Sequence, residues 1–168
     1  MKLRLANISD LPKLKNIFRK IVDNMNKSNI PIWDEIYPCE FLANDIKNSC
    51  LYVLEKNNDI VSAFALNSTH SGEPYVKWKN TQAKVLYIDR LGVNVDYLRK
   101  GIGDMMINNA INLGKNNGVK YLRLFVVDIN KPAINLYTKN GFKQVDGVYK
   151  EKIDDNLTFN ELGFEIEL

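Results

Sequence analysis

The sequence predicts a mixed α/β domain built on one central sheet, and three observations carry that expectation. Strand-like and helix-like periods follow one another in the order β-α-α-β-β-β-α-β-α-β-β. The 168 residues, 45% of them apolar, suffice for one sizeable core and argue against a second domain, so a single domain over residues 1–168 is expected. Finally, Tyr121 to Val127 is a nearly continuous apolar run, the composition of a strand buried on both faces.

Leu3 and Leu5 alternate with Lys2 and Arg4 as in a short strand. Ser9 or Asp10 can then N-cap a helix carrying Leu11, Leu14, Phe18, Ile21, Val22 and Met25 at helical spacing. Asn29 to Pro38 holds two prolines, Trp33 and Tyr37, and reads as a loop ahead of a second helix from about Glu40 to Asn48. Leu51–Glu55 and Ile60–Leu66 are strand-like, and Lys56-Asn57-Asn58-Asp59 between them reads as a tight hairpin turn. Residues 68 to 83 show no clear period and are expected to form a loop or irregular hairpin. Val85 to Val95 is a long strand run. Ile102, Met106, Ala110 and Leu113 then trace one face of a helix that Gly118 stops. A short helix, Pro132 to Lys139, precedes Gly141, and strand-like segments follow at 142–148 and 162–167.

Composition excludes several classes of function. The formal charge of +3 is spread along the chain without a basic block, which argues against a nucleic-acid binder. No apolar run is long enough for a membrane span, and the opening residues do not resemble a secretory leader, so a cytoplasmic protein is expected. Cys39 and Cys50 lack C-x-x-C spacing and His70 is the only histidine, so reduced thiols are expected and no metal site.

The chemistry concentrates between residues 97 and 142. Tyr97-Leu98-Arg99-Lys100-Gly101-Ile102-Gly103 leads from a strand into a helix. Glycines there let backbone N–H groups approach an anion, the helix dipole favours negative charge, and Arg99 and Lys100 add two cations. The bland alternative is a tight turn that happens to need glycine. A P-loop requires G-x-x-x-x-G-K-[ST], and a dinucleotide fold would place a third glycine where Met106 stands, so neither spacing is met. Downstream lies Asn130-x-x-Ala133-x-x-Leu136-Tyr137-x-x-Asn140-Gly141-Phe142.

Taken together, the two segments resemble the acetyl-CoA-binding core of the GCN5-related N-acetyltransferase (GNAT) family, in the manner of its small bacterial-type members. The resemblance is strong over residues 84–148, and the element order from residue 2 onward fits it. It implies a mostly antiparallel central sheet flanked by helices and splayed at the strands that receive the cofactor. It also implies that Leu91, Gly92 and Val93 offer backbone groups to the pantetheine arm, while amides from Arg99 through Lys100, Gly101, Ile102 and Gly103 to Asp104 hold the pyrophosphate. One departure is Leu98, which stands where the family usually has Gln or Arg. Asn130 and Ala133 match the family positions at the start of the last core helix; Asn130 would equally serve as that helix's N-cap, as would Asp128. Tyr137 matches the tyrosine beside the thioester sulfur, a donor to the departing thiolate.

Direct attack by an acceptor amine follows, with the Val93 N–H at the developing oxyanion and no covalent acyl-enzyme. The amine must lose a proton, and a base is needed. A strand period of two puts Tyr87, Asp89, Leu91 and Val93 on one face, which makes Asp89 the first candidate base and Tyr87 a substrate contact. The alternative is that Asp89 only pairs with Arg90, Arg123 or a lysine. Glu35, Glu73 and His70 fall in loops on the acceptor side, where a histidine is commonly just solvated. Trp33, Tyr37, Tyr75 and Trp78 lie in the two irregular segments where family members build the acceptor pocket, and they serve either as pocket walls, Trp33 and Tyr37 foremost, or as loop anchors. The expected partners are acetyl-CoA and a small-molecule or peptide amine, with no nucleic acid, membrane or metal, and the resemblance allows a homodimer. A noncatalytic acyl-CoA-binding module is the alternative reading.

Overall fold

The computed structural model describes all 168 residues. The elements in chain order are β1 (Lys2–Leu5), α1 (Leu11–Lys27), α2 (Leu42–Lys47), β2 (Leu51–Lys56), β3 (Asp59–Asn67), β4 (Val76–Lys77), β5 (Val85–Val93), α3 (Ile102–Asn116), β6 (Tyr121–Val127), α4 (Lys131–Lys139), β7 (Lys143–Gln144), β8 (Asp146–Gly147), β9 (Tyr149–Lys152) and β10 (Thr158–Glu167). The fold is mixed α/β with mostly antiparallel pairing, as expected. Its residues group into two compact units, Met1–Leu66 with Arg90–Met106 and Asn67–Asp89 with Ile107–Leu168.

In the first unit β1, β2 and β3 pair antiparallel, and β3 neighbours β5. The hairpin between β2 and β3 turns on Asn57 (φ +51) and Asn58 (φ +63); consecutive left-handed residues match the twist of the flanking strands, and asparagine tolerates that region. Helix α1 buries Leu14, Ile17, Phe18, Ile21 and Val22, the face that the sequence period marks. It starts where expected, at Leu11 with Asp10 in the N-cap position and Pro12 behind it, but the Asp10 side chain makes no cap bond to α1. The side-chain cap lies one step upstream, where Asn7 caps a short 3-10 turn at Ile8–Asp10 and forms a reciprocal capping box with Asp10. Arg4 donates to both Asp10 and Glu55, fastening this corner to β2.

In the second unit β5 and β6 run parallel, with Val85–Tyr87 opposite Tyr121–Arg123, and β10 pairs antiparallel with β6, β7 and β9. The strand expected at 142–148 is broken into β7 and β8, because β8 leaves β10 to pair with β4 and Gly147 takes φ +103 to make the turn. The final strand is longer than expected, running from Thr158, since β9 supplies a partner for its first half. Gly72 lets the loop before β4 close on the aromatic rings; a Cβ there would lie 2.8 Å from Phe125 and 2.9 Å from Tyr149.

Gly92 has a packing role in addition to any role at the backbone. A Cβ at 92 would sit 2.8 Å from the ring of Phe18, a fully buried residue, and 2.9 Å from Ile21. Gly92→Ala is therefore expected to lower stability by about 1–3 kcal/mol through overpacking, read as a reduced thermal midpoint; an unchanged midpoint would refute the close approach of α1 to β5.

Candidate functional site

In the first unit the glycine loop forms a sharp entry to α3. Asn94 caps the 3-10 turn Val95–Tyr97 through the Asp96 N–H (3.2 Å), and its own amide donates to the Ile60 carbonyl (3.3 Å). Arg99 (φ +59) and Gly101 (φ +72) then occupy the left-handed region, and only at Gly101 does glycine remove the cost. Helix geometry leaves the N–H groups of Ile102 and Gly103 at the open end of the helix, and Met105 N–H bonds back to Gly101 O at 3.1 Å. Such a turn fits a pyrophosphate. The Lys100 ammonium folds back to the Asp96 carbonyl (2.9 Å) and lies 5.0 Å from the Tyr97 ring centroid, which leaves Arg99 as the cation not drawn into that turn. Leu98 is an exposed residue, so the departure from the family pattern leaves the core unaffected.

Leu91, Gly92 and Val93 follow a break in β5. Arg90 has φ +53, which interrupts the strand period, so the premise that Asp89 shares a face with Val93 does not hold by alternation. Arg90 is also not the partner of Asp89. It binds Asp45 of α2 through two hydrogen bonds of 2.7 and 2.8 Å. Trp33 packs on the core of this unit, and a chain of ring contacts runs Phe18, Trp33, Tyr37, Phe41 at 5.8, 6.1 and 5.3 Å. Trp33 and Tyr37 thus pack in the manner of loop anchors.

In the second unit Asn130 caps α4, its side-chain oxygen accepting from the Ala133 N–H at 3.3 Å, with Pro132 in the first turn where its missing N–H costs nothing. Tyr137 is buried on α4, its ring 6.0 Å from Phe142. Tyr87 is fully buried among His70, Trp78 and Phe125, and burial pushes its hydroxyl up to about 12. The pairing of Tyr87 with Arg123 across β5 and β6 places both on one face with Glu165. Arg123, fully buried, takes Glu165 (3.2 Å), the Asn80 carbonyl (2.6 Å), Glu73 (3.6 Å) and the face of Trp78 (4.4 Å) as its surroundings, so it too is unavailable to Asp89.

Asp89 instead accepts a hydrogen bond from the Asn67 amide at 2.5 Å, and its other oxygen lies 3.8 Å from Nε2 of His70. His70 is not merely solvated. Its Nδ1 accepts the Gly72 N–H (3.0 Å), and its ring stacks on Phe125 at 4.3 Å. Near this group sits Glu161, a residue that the sequence reading did not single out. On β10 it lies opposite Tyr149 of β9 and Val127 of β6, and its Oε2 is buried without a hydrogen-bond partner. Burial, then the neighbouring Glu151 carboxylate and then Asp89, push its carboxyl up to about 8. The available signal was a charged residue, Glu161, on the same strand face as Gly163 and Glu165. No group of three or more His, Cys, Asp or Glu side chains is arranged to hold a metal ion.

Comparison with known proteins accords with this architecture. The chain belongs to the Acetyltransferase (GNAT) family, whose profile matches residues 18–142. It is 30% identical over 154 residues to a spermidine N(1)-acetyltransferase of Thermoplasma acidophilum, covering 87% of this chain and 90% of that protein. It is 29% identical over 138 residues to an N-alpha-acetyltransferase of Sulfurisphaera tokodaii, covering 79% and 81%. The crystal structure of a GNAT-family acetyltransferase of Streptococcus agalactiae superposes with a TM-score of 0.83 over 99% of this chain and 95% of that one, at 15% identity, a likeness of fold.

The raised Glu161 carboxyl makes a stability prediction. A carboxyl at about 8 in the folded chain and near 4.5 when unfolded is protonated in both states at low pH and ionised in both well above 8, where the folded state alone bears the burial penalty. Stability is therefore expected to fall as pH rises from about 4.5 to about 8. Glu161→Gln, which cannot ionise, should remove that slope and make the variant the more stable protein at pH 9; equal slopes in urea titrations at pH 5, 7 and 9 would refute it.

Proposed function

We propose that this chain moves the acetyl group of acetyl-CoA to the amine of a small-molecule or peptide acceptor by direct attack, and that Glu161 is the group that takes the amine's proton. The observation that carries the proposal is the buried, unpartnered Glu161 oxygen in a chain of an acetyltransferase family. An alkylammonium with a pKa of about 10.4 is neutral in only about one molecule in ~2,500 at pH 7, so a proton acceptor has a large effect on rate. Asp89, the candidate from sequence, sits beside Glu161 with Asn67 and His70 as partners and raises its proton affinity. The acetyl-CoA co-substrate supplies the activated thioester. The Arg99–Asp104 turn holds its pyrophosphate, Leu91–Val93 and Asn130 offer hydrogen bonds along the pantetheine, the Val93 N–H faces the oxygen where charge develops, and the Tyr137 hydroxyl donates to the leaving sulfur.

The names of relatives point to the N(1) amine of spermidine and to an N-alpha amine, and these two kinds of amine define the first panel to try. No helix is long and apolar enough to cross a membrane, and a cytoplasmic enzyme working as a single domain, alone or as a homodimer, is the setting proposed.

Release of CoA thiol from acetyl-CoA in the presence of an amine panel tests the activity. Stabilisation by acetyl-CoA without turnover would instead indicate a binding module. With an acceptor in hand, kcat/KM is expected to rise with pH through about 8, and Glu161→Gln should lose that limb with a fall of about 10²- to 10⁴-fold. A pH limb preserved in Glu161→Gln and lost in Asp89→Asn would return the base role to Asp89. Tyr137→Phe should lower turnover with acetyl-CoA affinity retained, and Gly103→Val should abolish acetyl-CoA binding in a folded protein; turnover unchanged in the first or binding retained in the second would overturn the role concerned.

A further inference from the structure

Arg90 stands inside β5 with φ +53, the left-handed region that a residue with a Cβ enters at a cost. Such a conformation persists where its surroundings over-determine it. Here the surroundings are one carboxylate and two rings. Asp45 accepts from Arg90 Nε at 2.7 Å and from Nη2 at 2.8 Å, a two-point grip that fixes the plane of the guanidinium, and the two side chains are only 6% and 10% exposed. The guanidinium carbon lies 6.0 Å from the Tyr37 ring and 5.8 Å from the Phe41 ring. Asp45 is itself fixed, as its N–H donates to Phe41 O (3.0 Å) and its carbonyl accepts from Cys50 N–H (3.0 Å).

The segment beyond Arg90 is pinned at its far end. Ser62 Oγ donates to the Gly92 carbonyl (2.7 Å), and the Asn94 N–H donates to Val61 O (2.9 Å). Leu91 to Val93 are thus held from both sides, by Arg90 at one end and by the bonds to Gly92 O and Asn94 N–H at the other. A residue at 90 that relaxed to a negative φ would turn the peptide planes that follow it, so the Asp45 grip acts with these two bonds to fix where the N–H and C=O groups of Leu91–Val93 point.

We propose that Asp45 is a positioning residue for acetyl transfer: by holding the Arg90 guanidinium it keeps Arg90 left-handed and so aims the Leu91–Val93 backbone. This rests on the reading of that backbone as the donor-side strand. It acts through geometry alone, since Asp45 need touch neither donor nor acceptor.

The test exploits glycine, which takes a positive φ without strain. In Asp45→Ala, kcat is expected to fall by roughly tenfold to a hundredfold, and acetyl-CoA affinity to fall by less, because the Arg99–Asp104 turn proposed to hold the pyrophosphate is left intact while only the Leu91–Val93 contacts to the pantetheine are disturbed. The two double variants Asp45→Ala with Arg90→Gly and Asp45→Ala with Arg90→Ala both remove the ion pair, so neither buries an unpaired charge. The glycine version is expected to exceed the alanine version by roughly tenfold in kcat, and its Leu91, Gly92 and Val93 amide resonances should stay near their wild-type positions while those of the alanine version move. Equal turnover and equal amide spectra in the two doubles would overturn the proposal, as would wild-type kcat in Asp45→Ala. The amide spectra need no turnover, so a wild-type chain inactive on every amine would sink the acetyltransferase reading without touching the anchor. Should Asp45→Ala fail to fold, the paired doubles and their spectra decide the matter.

Discussion

A left-handed residue in the middle of β5, Arg90, marks the point where the strand passes from one compact unit to the other. Upstream of Arg90, Val85–Asp89 belongs to the unit that carries Tyr87, Asp89 and Glu161; downstream, Arg90–Val93 belongs to the unit that carries the glycine turn. A regular strand would have continued the two-residue alternation through both stretches. The interruption frees the second stretch from the face assignment of the first, so the backbone of Leu91–Val93 can serve one ligand while the side chains of Tyr87 and Asp89 face another environment. An arginine can occupy that position because Asp45, Tyr37 and Phe41 surround its guanidinium, and α2 with the loop before it thereby stabilises a feature of a strand far away in sequence.

The electrostatics of the second unit divide its carboxylates into two kinds. Glu165 and Glu73 have a cation, Arg123, which is itself buried and held under Trp78. Glu161 has Glu151 and Asp89 as neighbours and neither lysine nor arginine beside it, so a proton is the charge compensation that the protein itself offers. Under the proposed function, an acceptor amine would arrive as an ammonium, bringing both the positive charge that this group of carboxylates lacks and the proton that the reaction must remove, in place of the proton on Glu161. Environments that push neighbouring carboxyls apart in proton affinity are the usual means by which one site holds both an electrostatic partner and a proton acceptor.

Much of the fold was legible because its signals are local. The Asn57-Asn58 turn, the Asn130 cap with Pro132 behind it, the α1 face and the Gly118 stop each depend on residues a few positions apart, and each falls where the sequence places it. The family-defining segments were legible for the same reason, being two short motifs on a strand-to-helix turn and a helix start. What the sequence hid depends on pairing across long separations. Arg90 reads as an ordinary residue of an unbroken strand, and nothing nearby names Asp45, 45 positions earlier, as its partner. Glu161 reads as an exposed charge until β9 pairs with β10 and covers it. His70 looked like a loop histidine because Phe125, the ring it stacks on, is 55 residues away in β6.

The same distinction explains why strand alternation leads to Asp89 and not to Glu161. Strand alternation correctly groups Asp89 with Tyr87, and Tyr87 lies opposite Arg123, so the reading located the face. It could not say which carboxyl on that face would be left without a donor. Asp89 receives the amide of Asn67, the last residue of β3, and faces His70, whereas Oε2 of Glu161 is buried without a donor and its carboxyl is drawn toward protonation by the neighbouring Glu151 carboxylate. A buried acceptor oxygen without a donor carries a desolvation cost that no hydrogen bond offsets, and a proton removes that cost. That difference in what the fold supplies to the two carboxyls is the ground on which Glu161 is proposed as the proton acceptor.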